Sequence, residues 1–214
     1  MIIEDNLGCR DTVFKLVRVW DLPEADFIMD TVCQGQNTQF IDLSSQGSGI
    51  INQWQWSISD GSVITEVDNQ ATYVFEACGE FQVELEIIDE NLCTDNTISL
   101  AKIWCLPSVE FTSTPSCFGD STNFTNSSTT IDGNQIVNYL WNFGDNSSEM
   151  NNTSTLTNPS FLYSDCGQFE VNLIITDDLN CTNENTINSE VICNPEANFT
   201  VFDFVCEGDV TNFT

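Results

Sequence analysis

Histidine is absent from this sequence, and Arg10, Lys15, Arg18 and Lys102 are its whole cationic inventory. Without an imidazole, neither a Ser-His-Asp nor a Cys-His nucleophile can be assembled. Against 33 acidic residues, the four cations leave a formal net charge of −29. Nothing is available to neutralise phosphates, so nucleic acid is excluded as a partner and anionic membrane surfaces are disfavoured. No apolar run approaches the length of a membrane span, which argues against insertion. Met1 is not followed by the basic and apolar regions of an export signal, and the expectation is an excerpt from a longer exported polymer. Sustained helical periodicity is missing too. Carboxylates abound, but no pair is embedded in apolar sequence that would raise a pKa for glycosidase-type chemistry. No enzymatic activity is expected.

What is present repeats. In Cys166–Cys193 (CGQFEVNLIITDDLNCTNENTINSEVIC), Phe169, Val171, Leu173 and Ile175 alternate with Glu170, Asn172 and Ile174, the period of two of a strand with one buried face. Asp177-Asp-Leu-Asn180 supplies turn chemistry, and a second extended run follows. The same hairpin lies at Cys78–Cys105, and its second half opens the chain. Pro23, Pro107 and Pro195 each lead a similar short motif, at spacings of roughly 85 residues, far longer than solenoid repeats. Residues 1–22 therefore read as the tail of one repeat, 23–106 and 107–194 as complete repeats, and 195–214 as the start of another. Junctions are short, Asp21-Leu22 and Cys105-Leu106, which limits bending between repeats. Within the first complete repeat, strands are expected at Ala25–Met29 (A), Thr38–Leu43 (B), Gln53–Ile58 (C) and Thr72–Phe75 (E), ahead of the F–G hairpin. The fold class expected is all-β, tandem antiparallel immunoglobulin-like sandwiches arranged end to end.

Trp141-Asn-Phe-Gly-Asp145, followed by Tyr163 and then Gly167-x-Phe-x-Val-x-Leu, resembles a PKD domain. The cysteine before strand B and the Asp-x-x-x-Cys turn resemble the PKD repeats of large secreted Bacteroidota proteins, including adhesins and gliding-associated proteins exported by the type IX system. The first repeat departs from the motif's spelling: Trp56-Ser-Ile-Ser-Asp-Gly61 replaces its Phe and Gly, and Phe75 stands in place of Tyr163. The resemblance implies an extracellular spacer or interaction module.

Ten cysteines without a CxxC pair read as disulfides, which persist outside the cytosol. Cys78 and Cys105 begin and end one hairpin, and Cys166 and Cys193 the other. Such residues face each other across the ladder within bridging distance, so Cys78–Cys105 and Cys166–Cys193 are expected. Cys33 and Cys93 are placed at opposite ends of their sandwich. End-to-end stacking would pair Cys33 with Cys181 and send Cys9, Cys93, Cys117 and Cys206 to further neighbours. The competing pattern is Cys33–Cys93 and Cys117–Cys181 within each repeat.

Asp89, Glu90 and Asp95 in one hairpin turn, and Asp177, Asp178 and Glu184 in the other, are candidate calcium ligands. The alternative is solvated turns rich in Asp and Asn, with no cofactor. Trp56 and Trp141 are expected in the cores, with Trp54 and Tyr139 buried beside them, while Trp20 and Trp104 are candidates for exposure. The function expected is a stiff, disulfide-stabilised extracellular spacer in a surface protein, stalk or fibre. Its partners would be neighbouring repeats and copies in a homo-oligomer or filament. The alternatives are a carbohydrate- or calcium-dependent binding module, or an accessory region of a secreted hydrolase.

Overall fold

The structure is a computed structural model, which describes residues 1–66, 69–131, 133–148 and 152–198. No helix occurs among them, and so none is long and apolar enough to cross a membrane. The chain divides into two compact units, Met1–Cys105 and Leu106–Thr214. Cys206 and most of the expected fourth repeat lie outside the described residues.

The first unit opens with a small antiparallel hairpin, β1 (Ile2–Glu4) and β2 (Arg10–Thr12). Then come β3 (Phe27–Met29), β4 (Asn37–Asp42), β5 (Ile51–Ile58), β6 (Val63–Glu66), β7 (Gln70–Val74), β8 (Gly79–Asp89) and β9 (Thr94–Ile103). They form two sheets, β3-β4-β7 and β6-β5-β8-β9. Alternation along β8 puts Val83, Leu85 and Ile87 wholly inside, against Phe40, Trp56 and Phe75. Trp56 is the hub, with Phe27 edge-on at 5.1 Å and Phe40 stacked at 5.2 Å, arrangements that favour aromatic pairs.

The second unit repeats the plan with β10 (Phe111–Ser113), β11 (Ser116–Cys117), β12 (Thr122–Asn126), β13 (Ile136–Asn142), β14 (Thr153–Ser154), β15 (Ser160–Phe161), β16 (Gly167–Asp177) and β17 (Thr182–Ile192). Its sheets are β10-β12-β15 and β11-β17-β16-β13-β14. Trp141 is fully buried, with Phe111 edge-on at 4.9 Å. Trp54 and Tyr139, expected to be buried, are half-buried and packed against the rims of the two cores. The polar end of Trp54 keeps it there: its Nε1 reaches out to donate to Asp42 Oδ2 at 2.8 Å.

Among the described residues, one contact in each unit departs from antiparallel pairing. In the second, β11 runs parallel to β17, with Ser116 opposite Val191 and Cys117 opposite Ile192. In the first, Cys33 forms the equivalent parallel bridge with Trp104, closed by Trp104 N to Val32 O (3.0 Å) and Gln34 N to Trp104 O (2.9 Å). The segment entering each sandwich thus lies beside the strand that leaves it.

Candidate functional site

The β8–β9 and β16–β17 turns are built by a carboxylate. Asp89 and Asp177 continue the inward-facing series of their strands and are almost completely buried. A buried carboxylate is costly unless hydrogen-bonded, and here the turn folds round it. Asn91 N and Cys93 N donate to Asp89 Oδ1 at 2.9 and 2.8 Å. Leu179 N and Cys181 N do the same to Asp177 Oδ1 at 3.0 and 2.9 Å. The exposed hairpin at the start of the chain uses the same device, with Leu7 N and Cys9 N on Asp5 Oδ1. There the two backbone donors hold the Asp5 carboxyl below the usual carboxylate range. The residue before each cysteine has a positive φ: Gly8 (87°), Leu92 (64°) and Asn180 (62°). The Asp-x-x-x-Cys spacing is therefore the spelling of a turn.

The remaining candidate calcium ligands are spent separately. Glu90 Oε1 faces Ile50 N at 3.4 Å and Asp95 Oδ2 accepts from Ala25 N at 2.8 Å. Asp178 Oδ1 accepts from Gln135 N (3.1 Å), and Glu184 Oε2 from Asn172 Nδ2 (3.3 Å). Among the described residues no three acidic, cysteine or histidine side chains are placed to hold a metal. Asp95 and Asn183 instead occupy one position in the two repeats, and each ties its hairpin to the entering segment; Asn183 Nδ2 donates to Pro107 O at 2.8 Å. The turns consequently sit at the entry end of each sandwich.

The exit ends are closed covalently. Cys78–Cys105 and Cys166–Cys193 are disulfides, with Cα separations of 4.8 and 5.0 Å. The strand register differs from simple opposition. Gly79 pairs with Ile103 and Gly167 with Val191, so each bridge runs diagonally by one residue. Gly79 (φ 127°) and Gly167 (φ 140°) supply the backbone conformation that lets the preceding cysteine reach across.

Cys33 and Cys181 are also disulfide-bonded. Cys9, Cys93 and Cys117 are free thiols, so the within-repeat pairs Cys33–Cys93 and Cys117–Cys181 do not form. The reason is distance. Cys33 lies beside Trp104 at the exit, and Cys93 precedes β9 at the entry; ten residues of strand separate them by about 33 Å.

Of the two candidates for exposure, Trp20 is exposed whereas Trp104 is half-buried. Each has a cation over its ring: Arg18 at 4.7 Å from the Trp20 centroid and Lys102 Nζ at 4.0 Å from that of Trp104. Those faces are occupied by cation–π contacts and are not open platforms for a sugar.

Asp145, which closes the Trp141–Asp145 motif, is a buried clamp. Its carboxylate accepts from Ser164 N, Ser164 Oγ and Ser147 N at 2.8, 2.8 and 3.1 Å. Burial raises its pKa, but the donors from Ser164 and Ser147 outweigh that and hold the carboxyl below its usual value. Gly144 before it (φ 74°) packs against the Glu170 backbone, where a Cβ would collide with the carbonyl. Tyr163 completes the corner by donating from its hydroxyl to Phe143 O at 3.2 Å. The signal available was Ser164 directly after Tyr163, which only a folded corner brings to Asp145.

A model of the PKD domain matches residues 20–102 and again 106–192. The chain belongs to the PKD domain family. Its two PKD repeats cover most of the sequence, and no curated protein matches it significantly. Among solved structures it is similar to the PKD1 domain of Vibrio anguillarum Epp, with 29% identity over 42% of this chain and 96% of that one, at a TM-score of 0.37. It is also similar to the PKD1 domain of the Vibrio cholerae metalloprotease PrtV, with 30% identity over 41% of this chain and 98% of that one, at a TM-score of 0.35. PKD modules are typically non-catalytic, and the family together with the disulfides points to an extracellular protein.

Proposed function

We propose that these PKD repeats serve as a load-bearing spacer in an extracellular surface protein, stalk or fibre, without catalytic activity. The observation that carries this reading is the parallel pairing of the entering segment with the leaving strand, β11 with β17. Chain ends pulled apart at Pro107 and Cys193 drive these neighbours in opposite directions along their length. Their hydrogen bonds then load together in shear rather than opening one at a time. The Cys166–Cys193 bridge passes part of that load from β17 to β16, which lies inside the sheet. Cys78–Cys105 acts in the same way in the first repeat. High negative charge keeps such a chain soluble and discourages lateral contact except through cations or neutral patches. Neighbouring repeats, and copies in a filament, are the partners this reading supports.

Single-molecule pulling tests it, on a chain with Cys33→Ser and Cys181→Ser so that neither residue contributes a link. Each repeat should unfold in a discrete high-force event. The extension released under oxidising conditions should fall short of the full repeat by the 27-residue span between its bridged cysteines. Reduction should add that span, roughly 90 Å per repeat. Repeats that yield gradually at low force, with no discrete events, would sink the spacer reading.

A further inference from the structure

Strand β17 lies between β11 and β16, and each of the three carries a cysteine at or beside its exit end. Register places Cys117 of β11 opposite Ile192, one residue from Cys193. Gly167 lies opposite Val191, so Cys166 on the other side is offset from Cys193 by one residue as well. That second diagonal is already bridged, at a Cα separation of 5.0 Å. The first is not: Cys117 is a free, exposed thiol, and Cys193 beside it is exposed too. We propose that Cys117 is the attacking thiol of a disulfide switch, which exchanges with the Cys166–Cys193 bridge and moves the bond of Cys193 from β16 to β11.

Hydrogen bonds hold the thiol in this place. Phe118 N donates to Ile192 O at 2.8 Å, and Asn194 Nδ2 donates to Phe118 O at 2.9 Å. The chain at Cys117 is thus bonded to the residues on either side of Cys193. Neighbouring strands lie about 4.8 Å apart and one residue advances about 3.3 Å, which sets the two Cα atoms about 6 Å apart. A disulfide takes about 4.4–6.8 Å. Within the existing bridge, Cys193 is exposed whereas Cys166 is half-buried against the core, so attack falls on Cys193 Sγ. The first repeat differs. There Cys33, paired with Trp104 beside Cys105, is buried and itself disulfide-bonded, and offers no thiol to begin the exchange.

The step needs no oxidant. Cys117 gives its proton to solvent, and its thiolate attacks Cys193 Sγ in line with the Cys166 sulfur. The Cys117–Cys193 bond forms as the Cys193–Cys166 bond breaks, and Cys166 leaves as a thiolate that takes up a proton. One thiol and one disulfide stand on each side of the reaction. What changes is which strands are tied: a hairpin staple becomes a clamp between the entering segment and the leaving strand. The mechanical consequence rests on the spacer reading above. Such a clamp carries load across the shearing pair covalently and takes about 75 residues, on the order of 250 Å of chain, out of the load path.

Peptide mapping tests the switch. The unaltered full chain is held at mildly alkaline pH without added thiol or oxidant, and free thiols are then trapped with a maleimide at acid pH before digestion. A Cys117–Cys193 peptide should accumulate together with labelled Cys166, to an extent independent of protein concentration. In Cys117→Ser, Cys166 should stay unlabelled, while Cys93→Ser should exchange as the unaltered chain does. In Cys166→Ser, a glutathione buffer that oxidises Cys78–Cys105 should also join Cys117 to Cys193. Retention of Cys166–Cys193 alone, a product that grows with protein concentration, or a Cys117–Cys166 peptide would overturn the proposal. So would labelled Cys166 in Cys117→Ser, or reduced Cys117 and Cys193 in folded Cys166→Ser. Mapping of the unaltered chain decides the matter if a variant does not fold. These are chemical readouts, so their failure leaves the pulling experiment to judge the spacer reading by itself.

Discussion

The two complete repeats share a frame and differ in how they finish its corners. At corresponding positions the second buries Tyr163 and Ser189 and the first Phe75 and Ala101. One repeat thus buries a hydroxyl pair at a position where the other buries only carbon. Where the second buries Asp145 as a clamp, the first has Asp60 on the surface, bonded to Tyr73 and Ser62. Where Asn134 Nδ2 approaches Asp177 Oδ2 at 3.4 Å, the first repeat has Gly49, and Asp89 Oδ2 is left without a partner among the described residues. The difference teaches that the strand frame and hairpin turn tolerate either solution, even where a buried oxygen such as Asp89 Oδ2 is left unpartnered, because Asp89 Oδ1 alone holds the turn.

Asp145→Ala gives the largest test of this contrast. It strips three donors of their acceptor, two of them on Ser164, and should destabilise the second repeat by about 3 kcal/mol. Asp60→Ala, at an exposed site, should change the first repeat by less than about 1 kcal/mol. Calorimetry showing equal losses would erase the distinction between clamp and surface turn.

Alkali should separate the repeats by a smaller amount. Burial, with the Asp145 charge adding and the nearby Ser189 hydroxyl opposing, pushes the Tyr163 phenol up to about 12. Unfolded tyrosine releases its proton near 10. Between those values the unfolded state binds fewer protons, so stability present below pH 10 is lost as pH rises towards 12. The second repeat should lose up to about 2 kcal/mol over that window, and Tyr163→Phe should abolish the loss. An unchanged slope in the variant would mean that another group is responsible.

The turns offer a third comparison. Leu92 takes the left-handed conformation that Gly8 and Asn180 adopt more readily. Leu92→Asn should stabilise the first repeat by about 1 kcal/mol, and Asn180→Leu should destabilise the second by a similar amount. Denaturant midpoints moving the same way in both variants would contradict this.

Calcium should have the smallest effect. With the turn carboxylates engaged singly, millimolar calcium is expected to raise both melting temperatures only as much as another divalent cation does by screening. A saturable, calcium-specific rise in either repeat would reinstate Asp89, Glu90 and Asp95, or Asp177, Asp178 and Glu184, as ligands.

The sequence by itself determined the all-β class, the hairpins and the two hairpin disulfides. Alternation of Val171, Leu173 and Ile175 is a local pattern, and cysteines placed evenly about a turn meet by chain connectivity alone. Only the tertiary structure decided that Asp145 is a clamp and that the entering segment lies parallel to the leaving strand. It alone set the one-residue slant at Gly79 and Gly167. Each of these depends on residues distant in the chain meeting at a chosen separation, and a periodic pattern records which face is buried but not what it is buried against.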